Sequence, residues 1–79
     1  MKITILKRGK KFMLGLPQSE QHRIADAIFK LPQGDTKPLE GEKNAYRLRV
    51  GKWRIVYQVS GNEIIIRDIG SRGDIYINS

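Results

Sequence analysis

The sequence predicts an α+β protein in which helices pack on one face of a small, mainly antiparallel sheet. Two observations lead to this prediction. Apolar residues recur at helical spacing in the first half of the chain, and their period changes to two from residue 46 onward. Prolines and a glycine lie between the two halves and favour an irregular connection there. The expected order is an N-terminal strand, two helices and an antiparallel three-strand meander.

The first half of the chain contains one predicted strand and two predicted helices. Ile3–Leu6 is a short apolar run rich in β-branched residues, which favours a strand. Lys10–Leu16 has the length of a short helix, and Pro17 ends it. Ser19–Leu31 is the clearest helix, because its first residue is a good N-cap and its apolar residues recur at i, i+4 and i+7.

The second half of the chain contains three predicted strands joined by two tight turns. The strands are Tyr46–Val50, Trp53–Val59 and Glu63–Ile69. Each turn contains a glycine, at Gly51-Lys52 and at Ser60-Gly61-Asn62, as hairpin turns commonly do. These segments form the predicted meander.

A two-residue turn at Gly51-Lys52 fixes which side chains share a face of the sheet. It places Arg49 opposite Arg54, and alternation then directs the apolar set toward the helices. That set is Leu48, Val50, Trp53, Ile55 and Tyr57. Trp53, Tyr57 and Tyr46 could also serve as stacking platforms for bases, but their parity favours core packing.

Three arginines fall on the opposite face of the predicted sheet, namely Arg47, Arg49 and Arg54. A two-residue loop at Gly61-Asn62 would add Arg67, opposite Val56. Like charges that face each other across strands destabilise a sheet. The arrangement therefore predicts a site built for an anion.

Composition limits the classes of function that fit the chain. Its 79 residues make a single domain, residues 1–79, and the absence of cysteine excludes disulfides and thiolate metal sites. No apolar run approaches a membrane span of roughly 20 residues, and the N-terminus lacks the features of a signal peptide, so we expect a cytoplasmic protein without membrane contact. The net charge of +7 predicts a polyanionic partner, which could be RNA, DNA or an acidic protein.

The run LEGEKNAYRLRVGKWRIVYQV, followed by IIIRDIGSRGDIY, resembles the RelE/ParE superfamily of bacterial toxins from toxin–antitoxin pairs. It is most similar to the RelE-type branch, whose members cleave messenger RNA on the ribosome. The resemblance extends from the first strand to about Ile77. It implies a RelE-like fold and an mRNA interferase, that is, an endoribonuclease without metal or cofactor that inhibits translation. It also implies a cognate antitoxin, and the ribosome with mRNA in its A site, as partners.

The resemblance also implies a set of catalytic residues. RelE-like enzymes use two basic residues on one strand, an arginine on the next, an arginine after the last long strand and a tyrosine near the C-terminus. The matching positions are Arg47, Arg49, Arg54, Arg72 and Tyr76. We expect Arg54 and Arg72 to clamp the phosphate, Arg47 and Arg49 to steer the backbone and offset charge, and Tyr76 to transfer a proton.

One departure from the family pattern affects the proton transfer. The best-understood members have lysine at one or both positions that match Arg47 and Arg49. Arginine stays protonated in proteins, so it can hold a phosphate but is a poor general base.

Further cations are candidates for RNA binding: Lys7, Arg8, Lys10, Lys11, Lys52 and Arg67. The N-terminal cluster among them could contact ribosomal RNA or be a solvated end of the domain. His22 lies off the apolar stripe of its helix, and we expect it to be exposed and without a role. The sequence shows no base-reading pocket, so the protein should need the ribosome to present its substrate. Two other functions stay open: a ParE-like toxin that poisons DNA gyrase without nuclease activity, and a non-catalytic nucleic-acid-binding module.

Overall fold

The computed structural model describes residues 2–71, which form two helices and one sheet of five strands. The elements are β1 (Lys2–Ile5), α1 (Lys7–Leu14), α2 (Gln18–Phe29), β2 (Thr36–Pro38), β3 (Ala45–Val50), β4 (Trp53–Ser60) and β5 (Glu63–Ser71). The strands lie in the order β1-β5-β4-β3-β2. The β1–β5 pair is parallel and the other neighbours are antiparallel.

The sheet is larger than the three-strand meander that the sequence predicts. β3, β4 and β5 form that meander, but β1 joins the same sheet beside β5 and β2 extends it beside β3. The prediction of an irregular connection was wrong at β2, a three-residue strand that ends in Pro38. Proline is tolerated there because β2 is an edge strand, where one side of the backbone needs no partner. The α+β class is confirmed, whereas the expected strand number was too small.

Both helices are displaced toward the N-terminus relative to the prediction. α1 begins at Lys7 instead of Lys10 and includes Gly9, which packs closely on the sheet. A β-carbon added at Gly9 would lie 3.5 Å from Cγ1 of Ile69. α2 follows Pro17, and Ser19 is already inside its first turn, so the predicted serine cap was wrong. No helix within residues 2–71 is long and apolar enough to cross a membrane.

The hydrophobic core lies between the helices and one face of the sheet. Its buried members are Ile24, Ile28, Leu31, Leu48, Trp53, Ile55, Tyr57, Ile64, Ile66 and Ile69. The inward-facing set predicted from alternation is confirmed, since four of its members are buried and Val50 packs against them. Trp53 makes an edge-to-face contact with Phe12 at 5.7 Å between ring centroids, and Tyr46 stacks on Tyr57 at 5.4 Å. These rings belong to the core and its border, as predicted.

The register of the meander is confirmed at one hairpin and corrected at the other. Arg49 pairs with Arg54 across the Gly51-Lys52 turn, as predicted. On β5, however, a β-bulge makes Arg67 the extra residue, and Asp68 lies opposite Val56. Without this bulge Asp68 would lie opposite Ile55 and face the core. The extra residue keeps the carboxylate out of the core and turns Ile69 into it.

Candidate active site

Three of the predicted arginines, Arg47, Arg49 and Arg54, lie on the face of the sheet opposite the helices, which we call the outer face. Arg49 and Arg54 are direct cross-strand partners, so their β-carbons are about 5 Å apart. Arg47 lies two residues before Arg49 on β3 and shares its face by alternation. The sheet thus brings three guanidinium groups of adjacent strands to one surface.

Arg54 is the most buried of these arginines, with only 5% of its surface exposed. Its Nη1 donates to the carbonyl oxygens of Gly51 and Trp53 at 3.3 and 3.2 Å, and its buried Nε has no hydrogen-bond partner. Within residues 2–71, no carboxylate forms an ion pair with it. Burying a charge without a counter-charge is costly. Among the described residues, Arg54 therefore keeps an unused donor and a charge that no carboxylate neutralises.

Arg49 differs from Arg54 because it is half-exposed and already neutralised. Its Nε donates to Oδ2 of Asp35 at 2.6 Å, and its backbone N–H donates to the Asp35 carbonyl at 3.0 Å. The hydrogen bond from Arg49 lowers the pKa of the Asp35 carboxyl, and the positive charges of Arg49, Arg47 and Lys37 lower it further. Asp35 is therefore the acidic centre of this cationic group.

Arg47 occupies the middle of the outer face. It is half-buried and lies between Lys37 on β2 and Val56 on β4. Its charge acts on Asp35, but within residues 2–71 no carboxylate is close enough to pair with it. Lys37 and Arg47 form a second like-charge cross-strand pair, beside that of Arg49 and Arg54.

The other predicted RNA-binding cations lie on α1 and β5, except Lys52, which lies in the turn between β3 and β4. Lys7, Arg8, Lys10 and Lys11 are exposed on α1, where Arg8 pairs with Asp68 at 3.3 Å. Arg67 pairs with Glu42 at 3.0 Å. Lys52 is exposed at the tip of the β3–β4 hairpin, with its Nζ 4.9 Å from the centroid of the Trp53 ring.

Two predicted catalytic residues, Arg72 and Tyr76, lie outside the described residues, so their expected roles stay predictions. His22 is exposed, as expected. Within residues 2–71, no cluster of three or more histidine, aspartate or glutamate side chains could hold a metal ion.

The structure adds residues that the sequence analysis missed. A groove of about 500 Å³ lies between α2 and the end of β3. Arg23 and Asp26 of α2 and Lys30, directly after it, line one side, and Asp35 and Arg49 line the other. Arg23 could have been noticed because it directly precedes Ile24 of the apolar stripe. Asp35 gives no such signal, since it lies between two prolines in a segment without periodicity.

Comparisons with known proteins identify the family. The family model for the ParE toxin of the type II toxin–antitoxin system parDE matches residues 6–76. The protein RelE1 of Methanocaldococcus jannaschii is 34% identical and is aligned over 96% of this chain and 94% of its own length.

Solved structures agree with this assignment. In the crystal structure of the RelB-RelE antitoxin–toxin complex from Methanococcus jannaschii, the matching chain has 30% identity and a TM-score of 0.78, over 94% of this chain and 95% of that one. In the archaeal RelE-RelB complex from Pyrococcus horikoshii OT3, the matching chain has 25% identity and a TM-score of 0.73, over 92% of this chain and 96% of that one. The chain therefore belongs to the RelE/ParE superfamily, as a toxin of a RelBE-type toxin–antitoxin system.

Proposed function

We propose that this toxin is a ribosome-dependent endoribonuclease that cleaves mRNA and thereby inhibits translation in the cytoplasm. The observation that carries the proposal is the state of Arg54. It is buried on the outer face beside two further arginines, its Nε has no partner, and within residues 2–71 no carboxylate neutralises it. A phosphate would supply both the missing acceptor and the missing negative charge.

The proposed reaction needs only groups of the RNA and of the protein. The ribose 2′-oxygen attacks the adjacent phosphorus as its proton passes to a base. The bond from phosphorus to the 5′-oxygen then breaks, and that oxygen takes up a proton. The products are a 2′,3′-cyclic phosphate and a free 5′-hydroxyl. Negative charge grows on the phosphate oxygens in the transition state, and the arginines of the outer face would stabilise it.

The arginines would contribute to this stabilisation unequally. One preorganised donor to a developing oxyanion is commonly worth about 3–4 kcal/mol. Arg54 is held in place by two carbonyl oxygens, so it would need little reorganisation when a phosphate binds. Arg47 is free of a carboxylate within residues 2–71, whereas Arg49 is shared with Asp35. We assign Arg54 to the phosphate, with Arg72 as a second clamp, and Tyr76 to proton transfer.

Single-turnover cleavage of a defined mRNA on purified ribosomes tests the assignment. Tyr76→Phe removes one oxygen, and we expect it to cut roughly 10²–10⁴ times more slowly. Arg54→Lys keeps the charge but loses the planar fork, and we expect a loss of roughly 10². Lys43→Gln is the control, because it removes a charge at the end of β3 distant from Arg54. Wild-type cleavage rates in both active-site variants would contradict the proposed mechanism.

Naked transcript provides a second test of the proposal. We expect little cutting of free RNA, because the outer face presents no aromatic side chain of residues 2–71 on which bases could stack. Equal rates on free and ribosome-bound RNA would show that the ribosome is not required.

A gyrase poison is the second candidate function, favoured by the match to the ParE family model. Such a toxin would act by binding and would need no catalytic residues. Supercoiling and transcript assays on the same preparation separate the two functions. Inhibition of supercoiling with intact transcripts would establish the gyrase function and exclude the nuclease.

We further propose that an acidic or amphipathic segment of a cognate antitoxin folds on the outer face and blocks it. Similar toxins were solved in complexes with RelB, and a cationic surface attracts an acidic chain. At a concentration 1,000 times its Kd, such a partner would stabilise the toxin by about 4 kcal/mol. A melting temperature that does not change when the product of the neighbouring gene is added would contradict this proposal.

A further inference from the structure

Arg23 of α2 reaches the β3–β4 turn, although its helix packs on the opposite side of the sheet from the outer face. A β-carbon added at Gly51 would lie 3.2 Å from Nη2, 3.4 Å from Cζ and 3.5 Å from Nη1 of Arg23. Three atoms of the guanidinium therefore lie against the turn at nearly equal distances. Glycine is required at position 51 for two reasons. The backbone φ is +59°, which favours glycine, and a side chain at this position would displace Arg23.

The same turn binds a second guanidinium and carries an ammonium group. Arg54 donates from Nη1 to the carbonyl oxygen of Gly51 at 3.3 Å. Lys52 follows Gly51 and is exposed, with its Nζ over the Trp53 ring. Three cations thus lie at one turn, and the guanidinium groups of two of them are next to the same glycine. We call Arg23, Lys52 and Arg54 the turn cluster.

The turn cluster is poorly neutralised compared with other arginines of the protein. Arg49, Arg67 and Arg8 have carboxylate oxygens at 2.6, 3.0 and 3.3 Å. The nearest carboxylate oxygen to Arg23 belongs to Glu20 and lies 3.9 Å away, beyond hydrogen-bond distance. The Arg23 side chain is 60% exposed, so a ligand can reach it. Among the described residues, this long and exposed ion pair is the only carboxylate contact of the three cations, and like charges so weakly offset favour an anionic ligand.

We propose that Arg23 is a phosphate-binding residue and that the turn cluster holds a backbone phosphate of RNA next to the one that is cleaved. Arg54 would lie between the two phosphates, and the RNA backbone would pass over the turn from the outer face toward α2. The identification of RNA as the ligand rests on the proposed nuclease function. The binding of a phosphate group by the turn cluster does not depend on that function.

The carboxylates of the adjacent groove do not occupy this position. Asp35 is bound to Arg49 at 2.6 Å, on the other side of the groove from Arg23. Asp26 lies almost one turn further along α2 and forms no ion pair within residues 2–71. Arg23 lines the same groove as Asp26 and Asp35, but within residues 2–71 neither of these carboxylates forms an ion pair with it.

Binding of inorganic phosphate tests the turn cluster without any nuclease activity. In ¹⁵N-labelled protein, we expect phosphate to shift the Nε–Hε resonances of Arg23 and Arg54 together, with one dissociation constant. Arg23→Gln should weaken that binding roughly tenfold, the scale of one hydrogen bond to a charged group. Lys43→Gln removes equal charge at the other end of β3 and should change it less than twofold. Arg23→Lys should recover part of the loss.

A 2′-O-methyl RNA oligonucleotide, which cannot be cleaved, extends the test to nucleic acid. Removing one phosphate contact should reduce the slope of log K against log salt by about 0.7 in Arg23→Gln and should leave it unchanged in Lys43→Gln. A melting curve confirms that each variant is folded.

The outcomes separate this inference from the proposed function. Phosphate shifts at Arg54 without shifts at Arg23, or equal affinities in Arg23→Gln and Lys43→Gln, would overturn the role of Arg23 even in an active nuclease. Coupled shifts in a protein that cuts no mRNA on ribosomes would establish the anion site and overturn the nuclease function instead.

Discussion

Replacing Arg54 with methionine should stabilise the fold and abolish cleavage at the same time. Methionine has a similar length and flexibility but carries no charge and no donor. If the buried guanidinium of Arg54 serves to bind a ligand and does not stabilise the fold, the ligand-free protein should become more stable when this group is removed. Exchanges of buried charged groups for apolar ones of similar size are often neutral or stabilising.

The size of the effect follows from the contacts of Arg54. The unpartnered Nε is a buried, unsatisfied donor, which costs about 1–3 kcal/mol. Methionine gives up two hydrogen bonds to carbonyl oxygens, which are long at 3.2 and 3.3 Å, and the Gly51 carbonyl lies in an exposed turn where water can replace the donor. The substitution also removes the repulsion from Arg49, worth a few tenths of a kcal/mol. We expect a net gain of about 1 kcal/mol, or roughly 4–8 °C in a domain of this size.

Thermal unfolding, with and without inorganic phosphate, measures this prediction. Phosphate should raise the Tm of the wild type and should leave that of Arg54→Met nearly unchanged. Ribosome-dependent cleavage should be lost in the variant. A lower Tm for Arg54→Met would show that the carbonyl contacts of Arg54 stabilise the fold, and the reasoning from its unused donor would then be wrong.

Three further predictions concern residues away from Arg54. Asp35→Asn should lower the free energy of unfolding at neutral pH. Because the hydrogen bond from Arg49 and the neighbouring cations lower the pKa of Asp35, the urea midpoints of variant and wild type should converge only as the pH falls through that lowered pKa. Gly9→Ala should stabilise α1 by about 0.5–1 kcal/mol in thermal melts, since the new β-carbon makes ordinary contacts at 3.5–3.7 Å, whereas Gly9→Leu should destabilise by about 1–3 kcal/mol. Ile28→Ala, at a residue only 2% exposed, should cost about 2–5 kcal/mol in urea unfolding, a large part of the stability of a domain this small.

The meander could be predicted because each of its signals is local. The Gly51-Lys52 turn and the alternation of Leu48, Val50 and Trp53 together specify a register, and the structure has that register. The bulge was missed although its signal is present, since the spacing of Ile64, Ile66 and Ile69 changes from two to three. Strict alternation along β5 predicts that Arg67 pairs with Val56. In the structure Arg67 is instead the extra residue of the bulge, which keeps Asp68 out of the core.

The remaining differences arise from long-range contacts, which a local pattern does not contain. β2 is three residues long and is defined by its pairing with β3, so its own sequence carries little strand signal. The parallel pairing of β1 with β5 joins residues about 60 positions apart. Asp35 and Arg23 likewise reach Arg47, Arg49 and Arg54 through folding alone, because both are far from these arginines in the sequence.

The pairing of charges, more than their number, distinguishes the arginines that support the fold from those available to a ligand. Arg8, Arg49 and Arg67 each bind a carboxylate outside their own helix or strand, so their charges are offset within the protein. Arg47 and Arg54 lie on the β3–β4 strand pair, and Arg23 of α2 reaches the turn of that pair. Within residues 2–71, none of the three has a carboxylate oxygen in hydrogen-bond range. Two pairs of like charges face each other across neighbouring strands, Lys37 with Arg47 and Arg49 with Arg54. The carboxylate of Asp35 offsets chiefly the charge of Arg49. The remaining repulsion between these cations destabilises the free domain. A polyanion that covers them would neutralise their charge, and the relief of that repulsion would add to its binding energy. Substrate RNA and an acidic antitoxin segment would therefore compete for the same arginines.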